Sequence, residues 1–208
     1  GNITSFVTHS ASQAPFQMYS RRVGFIATEY GPDRTVAEGT WDQPYEFPAQ
    51  HAAQTALELA VPVASWRAVG HSHQGFFVEG FLDEVAAVSK TDPYQFRLRL
   101  LRNHPRAASV LTTAAKMAQW QTAPTPTKDG RPVARGIALH ASFGTIAAHV
   151  AEVSISNDGK IRVHRIVVVA DCGFVVNPDG ARQQLESATL YGLTAALYGE
   201  ITIVNGAV

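Results

Sequence analysis

The sequence predicts an α+β chain in which helices pack on a mixed or antiparallel sheet. Three observations carry that expectation. Helix-start signals follow one another at Ser72, Asp92-Pro93 and Pro105. A polar, proline-rich loop over residues 122–132 then ends the helical character. Beyond it lie alternating and β-branched runs, broken by an Asn157-Asp158-Gly159 turn and followed by one more helix.

Taken in order, residues 3–7 alternate apolar and polar side chains and predict a short strand. Gly24 and Pro32 with Asp33 punctuate a turn-rich region up to about Pro48. Over residues 52–61 the alanine and leucine content suits a helix, whereas Leu57, Leu59 and Val61 alternate with Glu58 and Ala60 as in a strand. Strand is the preferred reading, and Pro62 ends it. Ser72 is placed to cap a helix with Phe77, Phe81, Val85 and Val88 at helical spacing and Glu79, Asp83 and Glu84 on other faces. Asp92 caps and Pro93 starts a second helix to about Arg102. Pro105 starts a third, with Val110, Ala114 and Met117 on one side.

Past the loop, residues 136–143, 145–155 and 160–169 predict strands. Asn177-Pro178 opens a helix to about Tyr198 whose small residues (Ala181, Ala188, Gly192, Ala195, Ala196) permit close backbone approach. Residues 200–204 predict a strand and Asn205-Gly206 a hairpin turn. The loop divides the chain into a 1–121 region and a 133–208 region, or joins two parts of one compact domain. Only two residues follow the hairpin turn, which leaves half a hairpin, and natural domains avoid such unpaired edges. With Gly1 in place of an initiator methionine, the chain is expected to be a piece of a longer protein.

Of 208 residues, 46% are hydrophobic and only 16% charged, so part of the surface is expected to be covered by another domain or subunit. The 17 basic and 17 acidic residues cancel, which leaves no electrostatic footprint for nucleic acid or an anionic membrane. A single cysteine, Cys172, excludes an internal disulfide framework and an iron–sulfur site built from this chain alone. No apolar run is long enough to span a membrane, and no signal peptide opens the sequence.

Two segments invite a chemical reading. Trp66-Arg67-Ala68-Val69-Gly70-His71-Ser72-His73-Gln74 runs directly into the first central helix. A glycine turn at a helix N-terminus presents backbone N–H groups to an anion, and Arg67 adds a bidentate donor for phosphate or a polar heterocycle. The plainer reading of the same spacing is a tight strand-to-helix connection with Arg67 in a structural ion pair. His71 and His73 have no carboxylate or third histidine at ligand spacing, so hydrogen-bonded or surface histidines are expected there and no metal site. The second segment is Asp171-Cys172-Gly173, then Asn177-Pro178-Asp179, then Gln184 and Glu186. Amides such as Gln183 and Gln184 both donate and accept, as a heterocycle edge requires, although a solvent-facing strand–loop–helix unit explains them equally. Cys172 lacks a paired histidine and reads as a buried structural thiol. The chain carries no dinucleotide glycine fingerprint, phosphate loop or nucleophile elbow.

Together these segments resemble the xanthine dehydrogenase and aldehyde oxidase superfamily. Its Arg-Gly-Phe-Gly-x-Pro-Gln turn, Glu-x-x-x-Asp-Glu helix and Asp-Pro-x-x-x-Arg start are matched here by residues 67–74, by Glu79, Asp83 and Glu84, and by Asp92, Pro93 and Arg97. Asp171 with Gly173, Asn177-Pro178, and Gln184 with Glu186 resemble its later elements. The Trp66-Arg67-x-Val69-Gly70 form and residues 136–144 are most like the isoquinoline 1-oxidoreductase beta subunits.

The resemblance implies a molybdopterin-binding-domain-like fold in a large subunit that oxidises N-heterocycles or aldehydes with water as oxygen source. It implies molybdopterin cytosine dinucleotide in the parent enzyme, a [2Fe-2S] small subunit, a cytochrome c and the remainder of the large subunit as partners. The implied setting is periplasmic or membrane-associated, with the cytoplasm as alternative. Arg67, Gly70, His71, Ser72, His73 and Gln74 would line the cofactor pocket, with Gln184 nearby.

Departures limit this. His73 stands where the wider family has proline, and Ser187 and Ala188 replace a Gly-Gly pair. The family's catalytic Gly-x-Gly-Glu motif and its glycine-rich cofactor loop are absent, so no residue here is assigned a catalytic role and chemistry by this chain alone is not expected. A cofactor-free scaffold or interaction module derived from the family is the alternative. A zinc hydrolase using His71 and His73 ranks last.

Overall fold

The computed structural model describes residues 3–24 and 33–208; Gly1 and Pro32 lie outside them. Among the described residues, two small sheets and six helices build an α+β fold, as the sequence predicts. The first sheet pairs β1 (Phe6–Ser12) with β2 (Gln50–Ala56) in parallel. Between them run α1 (Pro15–Val23) and the single turn α2 (Arg34–Ala37). Three central helices follow: α3 (Gly70–Val88), α4 (Pro93–Leu100) and α5 (Pro105–Met117). An antiparallel sheet of β3 (Ala134–Ser142), β4 (Thr145–Ile155) and β5 (Ile161–Asp171) comes next, and then α6 (Pro178–Leu197).

Local chemistry explains most boundaries. Asp92 accepts from the Gln95 N–H at 2.9 Å and Pro93 takes the first helical position, as expected at the start of α4. Asn177 caps α6 in the same way, accepting from Gly180 at 3.0 Å. Phe143 and Gly144, both at positive φ, turn β3 tightly into β4.

Several expectations shift. The first strand begins at Phe6 rather than residue 3 and runs on through polar Ser10 and Ser12, because Ser10 and its neighbours stay in register with β2. The second ends at Ala56 because β1 supplies no partner beyond Ser12. Leu57, Leu59 and Val61 are therefore exposed, with Leu57 N donating to Ser12 O as the last rung. Residues 200–204 form no strand. A single bridge, Val204 to Ala207, closes the Asn205-Gly206 turn, and no described strand lies beside it.

The face of α3 is also corrected. Its buried line is Gln74, Val78, Leu82 and Ala86, whereas Phe77, Phe81 and Val88 are exposed. The helix is apolar on two faces, so periodicity alone did not choose between them. On α5, Val110 and Ala114 are buried as expected but Met117 is exposed; Ala107, Leu111 and Ala115 complete that face.

One hydrophobic cluster contains Val78, Leu82, Leu111 and Ala114 from the helices and Ile137, Leu139, Ala148 and Val150 from the antiparallel sheet. The 122–132 loop thus joins two regions that share this cluster. Arg135 ties the loop down, donating to Glu152 at 2.9 Å, Gln119 O at 2.8 Å and Thr122 O at 2.6 Å. In contrast, α6 buries no residue.

Among the described residues, no helix is long and apolar enough to cross a membrane.

Candidate functional site

The 67–74 segment enters α3 through a strained turn. Val69 N donates to Trp66 O at 3.0 Å, while Ala68 lies at φ 66° and Val69 at φ 50° with ψ −127°. A β-branched residue in this region is an outlier that survives only where its surroundings over-determine it. Ser72 contributes, but not as the expected N-cap. It lies inside the first turn of the helix, where its hydroxyl donates to Arg67 O (2.6 Å) and Val69 O (2.9 Å).

Gly70 is fixed by close approach. A Cβ built there would lie 2.4 Å from Thr35 O, so the backbone of α2 leaves no room for a side chain. The Gly70 N–H faces the Glu38 carboxylate, whose pKa burial raises against the opposing pull of His71 and this N–H. An acidic group thus already occupies part of the positive helix end.

His71 and Gln74 point inward. The His71 ring is 6% exposed; its Nδ1 lies 2.9 Å from His140 Nε2 on β3, and its Nε2 lies 3.7 Å from Asp42 Oδ2. Burial, reinforced by the charge of His71 and opposed by Asp42, lowers the His140 pKa from 6.5 to about 4. Gln74 donates to Ser10 Oγ at 2.7 Å and to Val36 O at 3.0 Å. Both side chains are therefore committed to protein partners.

Arg67, Ser72 and His73 are exposed. Arg67 lies 5.2 Å over the ring of Tyr191 from α6, and Trp66 packs against the same ring at 5.5 Å. His73 borders a groove of about 650 Å³ between β1 and α3 that is also lined by Phe77 and Phe81. Gln184, likewise exposed, sits seven residues before Tyr191, hence on the same face of α6 and roughly 10 Å along its axis. The turn and α6 meet through Tyr191, not through Gln184. What remains open at the surface is the Arg67 fork, His73 and the Gln184 amide; Ser72 is exposed, but its hydroxyl is already bonded to Arg67 O and Val69 O. These side chains present hydrogen-bond donors at the surface.

In the second segment, Asp171 accepts from Arg106 Nε at 2.9 Å and from Gly173 N at 3.0 Å; chiefly the Arg106 bond lowers its pKa to about 2. Cys172 is exposed rather than buried, because the strand ends at Asp171 and the chain turns outward at Gly173, φ 76°. Glu186 also faces solvent.

Spacing had assigned no role to a buried network beneath the site. Glu79 accepts from Tyr45 (2.7 Å), Arg97 Nε (2.8 Å) and Leu139 N (3.0 Å), and Arg97 also reaches Asp83 at 2.6 Å. Burial raises the Glu79 pKa against the pull of Arg97, and raises Tyr45 well above its ordinary value. The Glu79–Asp83 spacing of one helical turn, followed by Arg97, was its only trace in the sequence. His140 and Tyr191 left none. Among the described residues, no group of three or more His, Cys, Asp or Glu side chains is arranged to hold a metal ion.

The geometry defines an α+β domain with a strained, outward-facing turn at a helix start. A family profile described as the molybdopterin cofactor-binding domain matches residues 49–208, and the chain belongs to that family. It is 29% identical over 163 residues to the beta subunit of isoquinoline 1-oxidoreductase from Brevundimonas diminuta, covering 78% of this chain and 21% of that protein. It is 31% identical over 180 residues to a nicotinate dehydrogenase subunit of Pseudomonas putida, covering 79% and 15%. With the membrane-bound aldehyde dehydrogenase [pyrroloquinoline-quinone] of Gluconacetobacter polyoxogenes the identity is 33% over 155 residues, covering 67% and 20%. The chain thus spans about a fifth or less of the length of these curated relatives.

Proposed function

We propose that this chain forms one wall of the cofactor pocket in the large subunit of a molybdenum hydroxylase that oxidises N-heterocycles or aldehydes with water as oxygen source. The observation that carries the reading is the divided 67–74 turn. Its inward residues Gly70, His71 and Gln74, together with the Ser72 hydroxyl, hold a strained backbone, and its outward side chains Arg67 and His73 are left for a ligand.

The outward set fits molybdopterin cytosine dinucleotide. Arg67 has the planar fork that binds phosphate in bidentate fashion, and its guanidinium lies 5.2 Å over the Tyr191 ring. Gln184 can donate to and accept from a pterin edge. When bound, the molybdenum centre supplies the two-electron oxidation. The residues of this chain bind and orient it, and none is assigned to exchange a proton with substrate. In this reading electrons leave through a [2Fe-2S] small subunit and a cytochrome c in a periplasmic or membrane-associated assembly. The face of α6, which buries nothing here, meets the remainder of the large subunit.

Elemental analysis of the intact enzyme containing these residues tests the reading, with about one molybdenum per large subunit expected. Folded enzyme without molybdenum would overturn it in favour of a cofactor-free scaffold. Arg67→Ala should lower molybdenum occupancy while shifting the melting temperature of the cofactor-free enzyme little, because the side chain is exposed and gives up only its contact with the Tyr191 ring.

A further inference from the structure

We propose that His140 is a positioning residue for the 67–74 turn: from β3 it pins the His71 ring and so keeps the strained backbone of Ala68 and Val69 in place. Its purpose rests on the pocket reading above; its existence rests on geometry alone.

Two consecutive non-glycine residues at positive φ need restraint on both sides. Ahead of them, Val69 N is bonded to Trp66 O. Behind them, the restraint passes through His71, the second residue of α3, whose Nδ1 meets His140 Nε2 at 2.9 Å. The His140 ring is held in turn. A Cβ on Gly39 would lie 3.1 Å from both His140 Cε1 and Gln74 Cβ, and one on Gly75 would lie 3.4 Å from His140 Nδ1. The adjacent Leu139 N–H is bonded to buried Glu79, which fixes β3 at this level. The His140 peg thus projects from a strand fixed at Leu139, its ring lies close to Gly39 and Gly75, and its hydrogen-bond contact with the start of α3 is His71.

The chemistry of the contact makes it sensitive to protons. One imidazole nitrogen donates and the other accepts; a second proton on the pair puts an N–H on both facing nitrogens and breaks the bond. The charged and titratable groups facing the pair are Asp42 beside His71, Glu38 beneath Gly70, and Asp33 behind Glu38.

Hydrogen exchange of the full chain without cofactor, followed by mass spectrometry, tests the peg. His140→Leu should speed exchange across residues 67–72 about tenfold, the size of one lost hydrogen bond, with α5 amides unchanged. His140→Gln, whose amide can reach the position of Nε2, should restore exchange to within about threefold. Unchanged exchange in the leucine variant, or equal loosening in both variants, overturns the proposal. If His140→Leu loosens α5 as well, the pH profile decides. Protection of the turn relative to α5 should fall between pH 7 and 4 in the wild type and stay level in His140→Gln, whereas identical profiles overturn the peg. The molybdenum measurement bears on the pocket alone and these exchange rates on the peg alone.

Discussion

Replacing Arg97 by methionine should destabilise the fold by about 3 kcal/mol. Arg97 is 0% exposed and donates to Glu79 Oε2 at 2.8 Å, Glu79 O at 2.9 Å, Asp83 Oδ1 at 2.6 Å and Pro93 O at 3.2 Å. Removing one partner of a buried ion pair costs about 3–5 kcal/mol, because the other is left uncompensated. The Asp83 contact contributes little to that figure, since Asp83 is half exposed. Methionine returns roughly 1 kcal/mol of apolar burial, and Tyr45 and Leu139 still donate to Glu79. Urea unfolding at pH 7 measures the outcome. With a slope of about 2 kcal/mol/M for a chain of this size, the midpoint should fall by roughly 1.5 M. Adding Glu79→Gln to Arg97→Met should recover about half the loss, because a neutral amide needs no counter-charge. The sign with pH follows from the raised Glu79 pKa: without Arg97 it rises further, so the deficit should grow as pH rises through the carboxyl range and shrink in acid. A single variant within 1 kcal/mol of wild type, or a double variant no more stable than the single, would refute the argument.

Three further outcomes are expected. Gly70→Ala forces a Cβ to 2.4 Å from Thr35 O, a backbone atom, so α2 or the turn must move; a loss of about 3 kcal/mol in urea unfolding is expected, and a neutral result would show that the contact gives way freely. Asp92→Ala removes the α4 cap and the 2.8 Å bond from Trp120 Nε1. It should cost about 1–2 kcal/mol and alter tryptophan emission, whereas unchanged emission would place Trp120 elsewhere. The folded His140 pKa, lowered to about 4 from 6.5, gives stability that is complete above about pH 6.5 and lost as pH falls toward 4. The ceiling is about 3 kcal/mol, and His140→Gln should flatten that part of the pH–stability curve.

Much of the fold was legible because local chemistry marks its boundaries. Asp92-Pro93, Pro105 and Asn177-Pro178 begin helices where expected, and the Asn157-Asp158-Gly159 turn joins β4 to β5. Helix α1 carried its own marks, Pro15 at the start and Gly24 in a left-handed C-cap, but the surrounding turn residues hid them. The failures share a cause. Which face of α3 turns inward, where β2 ends and whether residues 200–204 form a strand all depend on a partner distant in sequence, and periodicity does not encode the partner. The site divides likewise. The 67–74 segment stood out through its glycine and arginine, while His140 and Tyr191 meet it only after the chain has folded back from β3 and α6.

A contiguous motif is easily read as a contiguous binding surface, and helix geometry forbids that here. Positions 70, 74, 78, 82 and 86 succeed one another at four-residue spacing, so Gly70 and Gln74 open the buried line that continues through Val78, Leu82 and Ala86. Ser72 and His73 fall on the remaining arc and face solvent, as does Arg67 ahead of the helix. Half of the motif therefore specifies how α3 seats against α2 and β1, and the other half is what a ligand can reach. Glu79 and Arg97, which accompany it in the sequence, form a buried ion pair with half-exposed Asp83 at its edge. On the pocket reading proposed above, substitutions along the inward line should act first on stability and those of Arg67 and His73 first on cofactor retention, whereas Ser72, exposed but bonded to Arg67 O and Val69 O, belongs with the turn itself.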